Sequence, residues 1–337
     1  MSVCLADMTL TPPVLLAPLA GITDLPFRRV VARFGAGLVV SEMVASQEIV
    51  QGKPSARDRA ELGLGEAATA VQLAGRDPYW MAEAAKLVEG QGARVIDINM
   101  GCPAKKVTST SGAGACGSGL LREPDLALRL IEAVVGAVSV PVTLKTRLGW
   151  DAALLNAPEI AARAEAAGVR MVTIHGRTRC QFYKGAADWA AIAATKAAVS
   201  IPVVANGDIT DATTARAALG ASGADGVMVG RGAQGRPWRL AQIAHALFGA
   251  PPPAVPAART DLVAGHYDAI LSFYGTALGT RIARKHLGWY LDAAVADGAA
   301  CAETVRALRR PVLTSEEPRT VLSLLARALS GPARAAA

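Results

Sequence analysis

The chain has no uninterrupted apolar run near the roughly 18 residues needed to span a bilayer, although 52% of its 337 residues are hydrophobic. Alanine and valine supply much of that content, and mean hydropathy is only +0.30. No Lys or Arg precedes Arg28, so the charged region of a signal peptide is missing. The five cysteines (Cys4, Cys102, Cys116, Cys180 and Cys301) are odd in number, scattered and without a CxxC pair. This spacing argues against a disulfide framework and against a zinc site. No GxGxxG follows the first apolar run, which weakens a dinucleotide-binding Rossmann reading. These absences point to a protein of the reducing cytoplasm, with no membrane, metal or obligate protein partner in view.

Charge of one sign is in modest excess. The net charge is +7 and the pI about 9.4, which fits a polyanionic partner without requiring one. From Pro251 onward Lys and Arg number 10 against 7 Asp and Glu, so the excess is spread along the chain. A solvated basic surface explains the same numbers.

Eight short apolar runs predict strands: 14–18, 38–41, 69–73, 95–98, 140–145, 171–175, 201–205 and 226–229. Most start about 24 to 31 residues apart, the spacing of a strand, a loop and a covering helix. Helix starts fall in the gaps. Asp77-Pro78 reads as an N-cap with Pro at the first helical position, and Thr23-Asp24 with Pro26 reads the same way. The pattern predicts an α/β fold, a (β/α)8 TIM barrel over residues 1–248, in preference to an open doubly wound sheet. A Pro-rich linker follows at 249–257, and 258–337 reads as a small all-helical domain. Thr314-Ser-Glu-Glu317 has capping-box spacing, and Gly331–Ala337 is expected to fray. The gap between the fourth and fifth strands is too long. Its excess, Met100–Leu121, is rich in Gly and Ser and is expected to be a lid over the barrel mouth.

The C-terminal ends of the strands of such a barrel converge on one mouth. Here they carry Pro18, Glu42, Gln72, Asn99 with Cys102, Lys145 with Arg147, His175 with Arg177, Asn206-Gly207-Asp208 and Gly230-Arg231. Singly, each has a dull explanation: a half-buried cysteine, a satisfied core histidine, a snorkelling lysine. Together they mark a site. The glycine turns after strands seven and eight suit a phosphate, held by backbone N–H groups and the Arg231 fork. Lys145 brings a cation to the centre of the mouth, which suits a cofactor that is anionic when reduced, such as a flavin. Neither paired carboxylates nor a metal-ligand cluster is present, so redox chemistry fits better than hydrolysis.

The segments APLAGITDLPFRR, VQLAG, DINMGCPAKKV, VTLKTRLGW, TIHGRTR, IPVVANGDIT and GVMVGRGAQGRPW, running from about Val14 onward, resemble the tRNA-dihydrouridine synthases. RIARKHLGWY at Arg281–Tyr290 resembles the bacterial B-type branch in particular. The resemblance implies an FMN enzyme that uses NADPH to reduce the C5–C6 double bond of uridines in tRNA. It implies that Pro18, Leu19 and Ala20 line the isoalloxazine, with Gln72 and Lys145 hydrogen-bonding it and His175 beside it. Asn206, Gly207, Asp208, Gly230 and Arg231 would hold the ribityl phosphate. Cys102 matches the family's general acid, and an ordinary thiol, with a pKa near 8.5, keeps its proton at neutral pH. Asn99 and Arg177 are candidates for the uracil edge. The target base must leave its stack to enter the mouth. Arg281, Arg284, Lys285 and Gly288 share a helix face that leaves room for an RNA backbone, and Arg306, Arg309 and Arg310 form a second cluster, equally readable as a solvated face.

The chain departs from the family pattern in two places. Leu19 stands where many members carry Met, an exchange of one apolar side chain for another. The lid is longer and less charged than the family's, and its Cys116 raises the expectation of a Cys102–Cys116 disulfide under oxidation. Three other readings share part of the residue set: a flavin barrel acting on a free pyrimidine, a flavin-free barrel for a phosphorylated metabolite, and a non-catalytic tRNA-binding factor.

Overall fold

A computed structural model describes residues 2–63, 69–109, 115–257 and 259–330. The middle of the expected lid and the expected frayed tail lie outside these residues. The chain divides into two compact units, Met1–Gly232 with Leu240–Pro252, and Ala233–Arg239 with Pro253–Ala337.

The first unit is a closed parallel barrel. In chain order the strands are β1 (Val3–Leu5), β2 (Met8–Leu10), β3 (Val14–Leu16), β4 (Leu38–Val40), β5 (Val44–Ala45), β6 (Thr69–Ala74), β7 (Val95–Met100), β8 (Val142–Arg147), β9 (Met171–His175), β10 (Val203–Asn206) and β11 (Gly226–Val229). Pairing runs β3-β4-β6-β7-β8-β9-β10-β11 and returns to β3. All eight predicted strands are present, and eight parallel strands with outer helices make the (β/α)8 architecture. Strands seven and five start later than the apolar runs. Pro202 and Pro141 have no N–H to donate, although their carbonyls accept from Val172 at 3.0 Å and Ile96 at 3.1 Å.

Helices cover the sheet where the caps predict them. The Asp24 carboxylate accepts from Phe27 N–H at 3.0 Å and opens Leu25–Arg33. Asp77 accepts from Tyr79 N–H at 2.8 Å and opens Pro78–Gly90. One element is absent from the strand pattern. β1 and β2 form an antiparallel hairpin, and its Val3, Leu5 and Leu10 pack on Leu15, Leu38, Val95 and Val204. Those residues belong to the strand starts, so the hairpin plugs the end of the barrel opposite the mouth.

The second unit is helical: Thr260–Tyr274, Thr276–Ala296, Ala302–Thr314 and Pro318–Ala328. Its core is Val263, Tyr267, Ile270, Leu287, Tyr290, Leu291, Val321 and Leu325. Ala233–Arg239 joins it through Arg236, which donates to Asp297 at 2.8 Å, and through the buried Trp238, whose ring lies 4.8 Å from the Arg259 guanidinium. The expected capping box does not form. The last helix begins with Glu317 at the N-cap, without a side-chain bond, and Pro318 in its first turn. Pro318 has no N–H, and Thr314 is used up as the end of the preceding helix. Among the described residues no helix is long and apolar enough to cross a membrane.

Candidate active site

Strand register sets the site. Gln72 pairs with Asp97, Asn99 with Lys145, and Asn206 with His175, all near the C-terminal ends of neighbouring strands. Gly101 and Pro103 break the strand after Met100 and turn Cys102 into a half-buried position. Both backbone groups of Cys102 are held. Its N–H donates to Asn99 Oδ1 at 3.0 Å, and its carbonyl accepts from the Ser118 N–H at 3.1 Å and the Ser118 hydroxyl at 2.8 Å. Asn99 Nδ2 donates to Gln72 Oε1 at 2.7 Å. Gln72 Nε2 in turn donates to Asp97 Oδ2 at 2.6 Å.

Lys145 lies buried in the mouth with one hydrogen bond among the described residues, from its ammonium to Asn206 Oδ1 at 3.1 Å. The two remaining N–H donors have no hydrogen-bond partner among the described residues and favour an acceptor-rich ligand. Burial, with Arg147 beside it, pulls Lys145 down to about 8, which leaves it mostly cationic at neutral pH. His175 is driven down to about 2 by burial and by Lys145, Arg147, Arg177 and Arg231, so its imidazole is neutral.

The turn after β10 is sterically determined. Gly207 sits at φ +109°, and a Cβ there would lie 2.8 Å from the His175 ring. Gly230 differs: a Cβ would make only ordinary contacts, 3.6 Å from Leu19 and 3.7 Å from Ala17. Among the described residues that position has room for a side chain, beside the loop carrying half-buried Pro18 and Leu19 and exposed Ala20. Arg231 has a side chain 58% exposed, 3.4 Å from Asp208. Its guanidinium remains available to an anion.

Two expected roles change. Arg177, expected at the uracil edge, is buried, and all its donors are used. It pairs with Asp208 at 3.0 and 2.6 Å, reaches the carbonyls of Lys184 and Gly185, and lies 3.4 Å from His175 Nε2. It braces the wall and leaves nothing to offer a base. The Asp208 carboxylate is correspondingly turned into Arg177 and accepts from Ala187 N–H at 2.8 Å. Burial pushes this carboxyl up, but Arg177, the Ala187 N–H and Arg231 outweigh it and hold it below the usual range. Any phosphate contact from Asp208 is therefore through its backbone.

Cys102 and Cys116 are both free thiols. Burial and the nearby Cys102 push Cys116 up to about 11, so it is a poor thiolate at neutral pH. The residues missed by sequence reading are the supports: Asp97, Thr143 and Ser118. An aspartate inside the apolar run Val95–Ile98 was the available signal; Ser118 had none. A further support is a stack in which Arg122 and Arg179 lie 4.1 and 4.6 Å from the Trp150 ring. Arg179 also donates to Thr108 Oγ1 at 2.9 Å, tying the described start of the lid to the rim.

In the helical unit Arg281 is exposed and Arg284 and Lys285 are half-buried, all on Thr276–Ala296. Gly288 does not leave room for RNA. It is buried, and a Cβ there would lie 3.4 Å from Arg309 and 3.8 Å from Leu313, so the approaching element is the chain's own helix Ala302–Thr314. Arg309 of the second cluster is committed to Asp292 and to the Gly288 carbonyl. Arg306 and Arg310 stay exposed.

The family model described as "Dihydrouridine synthase (Dus)" matches residues 15–324. A "Probable tRNA-dihydrouridine synthase" of Rhodobacter capsulatus is 64% identical over 98% of both chains. One of the same name from Rhizobium leguminosarum is 52% identical over 97% of this chain and 98% of its own. A "tRNA-dihydrouridine synthase B" of Xanthomonas campestris is 49% identical over 84% of each chain. Among solved structures, a 2-naphthoyl-CoA reductase complex is similar with TM-score 0.56 at 13% identity, covering 74% of this chain and 52% of that one. At that identity the likeness concerns the fold alone.

Proposed function

Since the chain belongs to the dihydrouridine synthase family, we propose that it reduces uridine to dihydrouridine in tRNA, in the cytoplasm, with FMN as cofactor and NADPH as reductant. The observation that carries the reading is the buried Lys145 ammonium, short of acceptors, on the strand next to the Cys102 loop.

The residues present fit FMN. Lys145 offers two donors to the carbonyl-rich edge of the ring and a positive charge that favours its anionic reduced form. Gln72 has spent its oxygen on Asn99 and one N–H on Asp97, so it offers the ring a donor. The room above Gly230 and the exposed Arg231 suit the phosphate, with the Gly207 and Asp208 backbone completing the cradle. Asn206 orients Lys145, and Pro18, Leu19 and Ala20 face the ring. When bound, FMN reduced by NADPH supplies the hydride that C6 of the uracil receives.

The chain's own residues do the rest. Cys102 holds a proton on its thiol and gives it to C5, completing addition of H2 across the double bond. Asn99 keeps that thiol's loop in place, and its remaining Nδ2 N–H is the group it would offer to the uracil edge. His175, neutral, adds no charge beside Lys145. Arg281, Arg284 and Lys285 bind tRNA phosphates.

The test is nucleoside mass spectrometry on unmodified tRNA incubated with protein, FMN and NADPH, beside Cys102→Ala. The expected result is a uridine about two mass units heavier in the wild type and little in the variant. Product in both would remove Cys102 from its role. Product in neither, on tRNA that binds, would favour a binding factor, and a colourless protein would favour a flavin-free barrel.

A further inference from the structure

The deepest carboxyl of the site takes no part in that reaction. Asp97 is 3% exposed on β7. Both of its oxygens accept, Oδ1 from the Thr143 hydroxyl at 2.6 Å and Oδ2 from Gln72 Nε2 at 2.6 Å. A carboxylate only accepts. Gln72 must therefore turn its NH2 to Asp97, which leaves its oxygen for Asn99. That oxygen takes Asn99 Nδ2 at 2.7 Å, so Asn99 presents its own oxygen to the loop. There it accepts from Gly101 N–H at 3.2 Å and Cys102 N–H at 3.0 Å.

An isolated amide side chain can flip at little cost. This chain has a fixed direction. Reversal would set a carbonyl against the carboxylate at one end and an NH2 against two backbone N–H groups at the other, with five polar groups mismatched. The Asp97 carboxyl is pushed up to about 6 by burial, against the pull of Thr143, Gln72 and Lys145, and so stays largely ionised at neutral pH.

We infer that Asp97 is a positioning residue: acting through Gln72 and Asn99, it sets the direction of the hydrogen-bond chain that seats Cys102. The inference rests on Cys102 being the proton donor of the proposed reaction. Ser118 holds the other side of the same residue by its carbonyl, so a chain lost at Asn99 lets the Cys102 peptide pivot about that remaining anchor.

Changing where the accept-only group stands tests this. Asp97→Asn keeps the shape but carries one donor and one acceptor, so the position 97 end no longer imposes a direction on the chain. The double variant Asp97→Asn with Gln72→Glu moves the carboxylate one link along. The new amide at position 97 donates to it, Asn99 donates to it, and Asn99 again offers its oxygen to Cys102. Thr143→Val removes one donor to Asp97 without touching the direction.

The readout is the rate of Cys102 alkylation by iodoacetamide at pH 7, followed by peptide mass spectrometry on the holoprotein, alongside turnover. We expect Asp97→Asn to change alkylation at least about fivefold and to lower kcat at least about tenfold, with KM for tRNA within about twofold. The double variant and Thr143→Val should both alkylate within about twofold of the wild type. Turnover is not the readout for the double variant, since position 72 also faces the cofactor. An unchanged alkylation rate in Asp97→Asn, or a double variant no nearer the wild type than Asp97→Asn, overturns the inference. Should Asp97→Asn not fold, the double variant decides alone: alkylation within about twofold of the wild type supports the chain, and a fivefold departure overturns it. Failure of the parent reading looks different, because Cys102→Ala would then turn over at the wild-type rate.

Discussion

Two glycines of the mouth separate what the fold needs from what a ligand needs. Gly207 is required by the protein itself, with φ +109° and the His175 ring in the place of a Cβ. Gly207→Ala should cost about 1–3 kcal/mol of stability, seen as a lowered melting temperature even without FMN. Gly230 has no such constraint, so Gly230→Ala should leave stability within about 0.5 kcal/mol and weaken FMN at least about tenfold by fluorescence titration. Lys145 gives a third expectation at this scale. Lys145→Met removes a cation that favours the anionic reduced flavin, so the midpoint potential of bound FMN should move negative in a dye-equilibrium titration.

At the scale of the element, the helix Thr276–Ala296 carries two kinds of arginine contact. Arg281 projects into solvent, whereas Arg309 of the neighbouring helix folds back on Asp292 and the Gly288 carbonyl. Arg281→Gln should weaken tRNA binding evenly across tRNA species and reduce the slope of log K against log salt by about 1. Arg309→Gln should leave that slope unchanged and lower the melting temperature. Titrations at several salt concentrations, with melting curves beside them, check both. The basic cluster of the sequence is thus partly a helix–helix clamp. That role needs Asp292, 17 positions away, which no pattern in the second cluster announces.

For the whole molecule, three histidines, half-buried His175 and buried His266 and His286, govern acid stability. His175 is lowered to about 2 by burial and four neighbouring cations. Burial takes His266 to about 3, and burial with His266 and Lys285 nearby takes His286 well below its usual value. Each stays neutral when folded and takes a proton near pH 6.5 when unfolded, so its contribution is complete above that pH and lost as pH falls. At about 1.4 kcal/mol per pH unit, His175 and His266 each lose about 2 kcal/mol by pH 5, and His286 acts in the same direction. Asp97 works the other way. Its folded value near 6 lies above the ordinary 3.8, so folding gains about 1.3 kcal/mol as pH falls from 7 to 5. The barrel, with His175 and Asp97, nearly balances; the helical unit loses about 2 kcal/mol from His266, and His286 adds to that loss. Urea unfolding at pH 7 and pH 5 should separate into two transitions at the lower pH, the helical unit melting first.

Most of the architecture was legible because its determinants are local. Apolar runs ending in Gly or Pro mark strands, and Asp24 and Asp77 before a proline mark helix starts; a barrel rule then carries Gln72, Cys102, Lys145 and His175 to one mouth. The β1–β2 hairpin was not legible, since three-residue strands are too short to show a period. Nor was the attachment of Ala233–Arg239 to the helical unit, which depends on Asp297. The sequence alone determined which groups could meet at the strand ends. Only the tertiary structure decided which of them are already spent: Arg177 on Asp208, 31 residues away, and Gln72 on Asp97 and Asn99. A buried polar group must find partners wherever the fold brings them, and no local pattern records that choice.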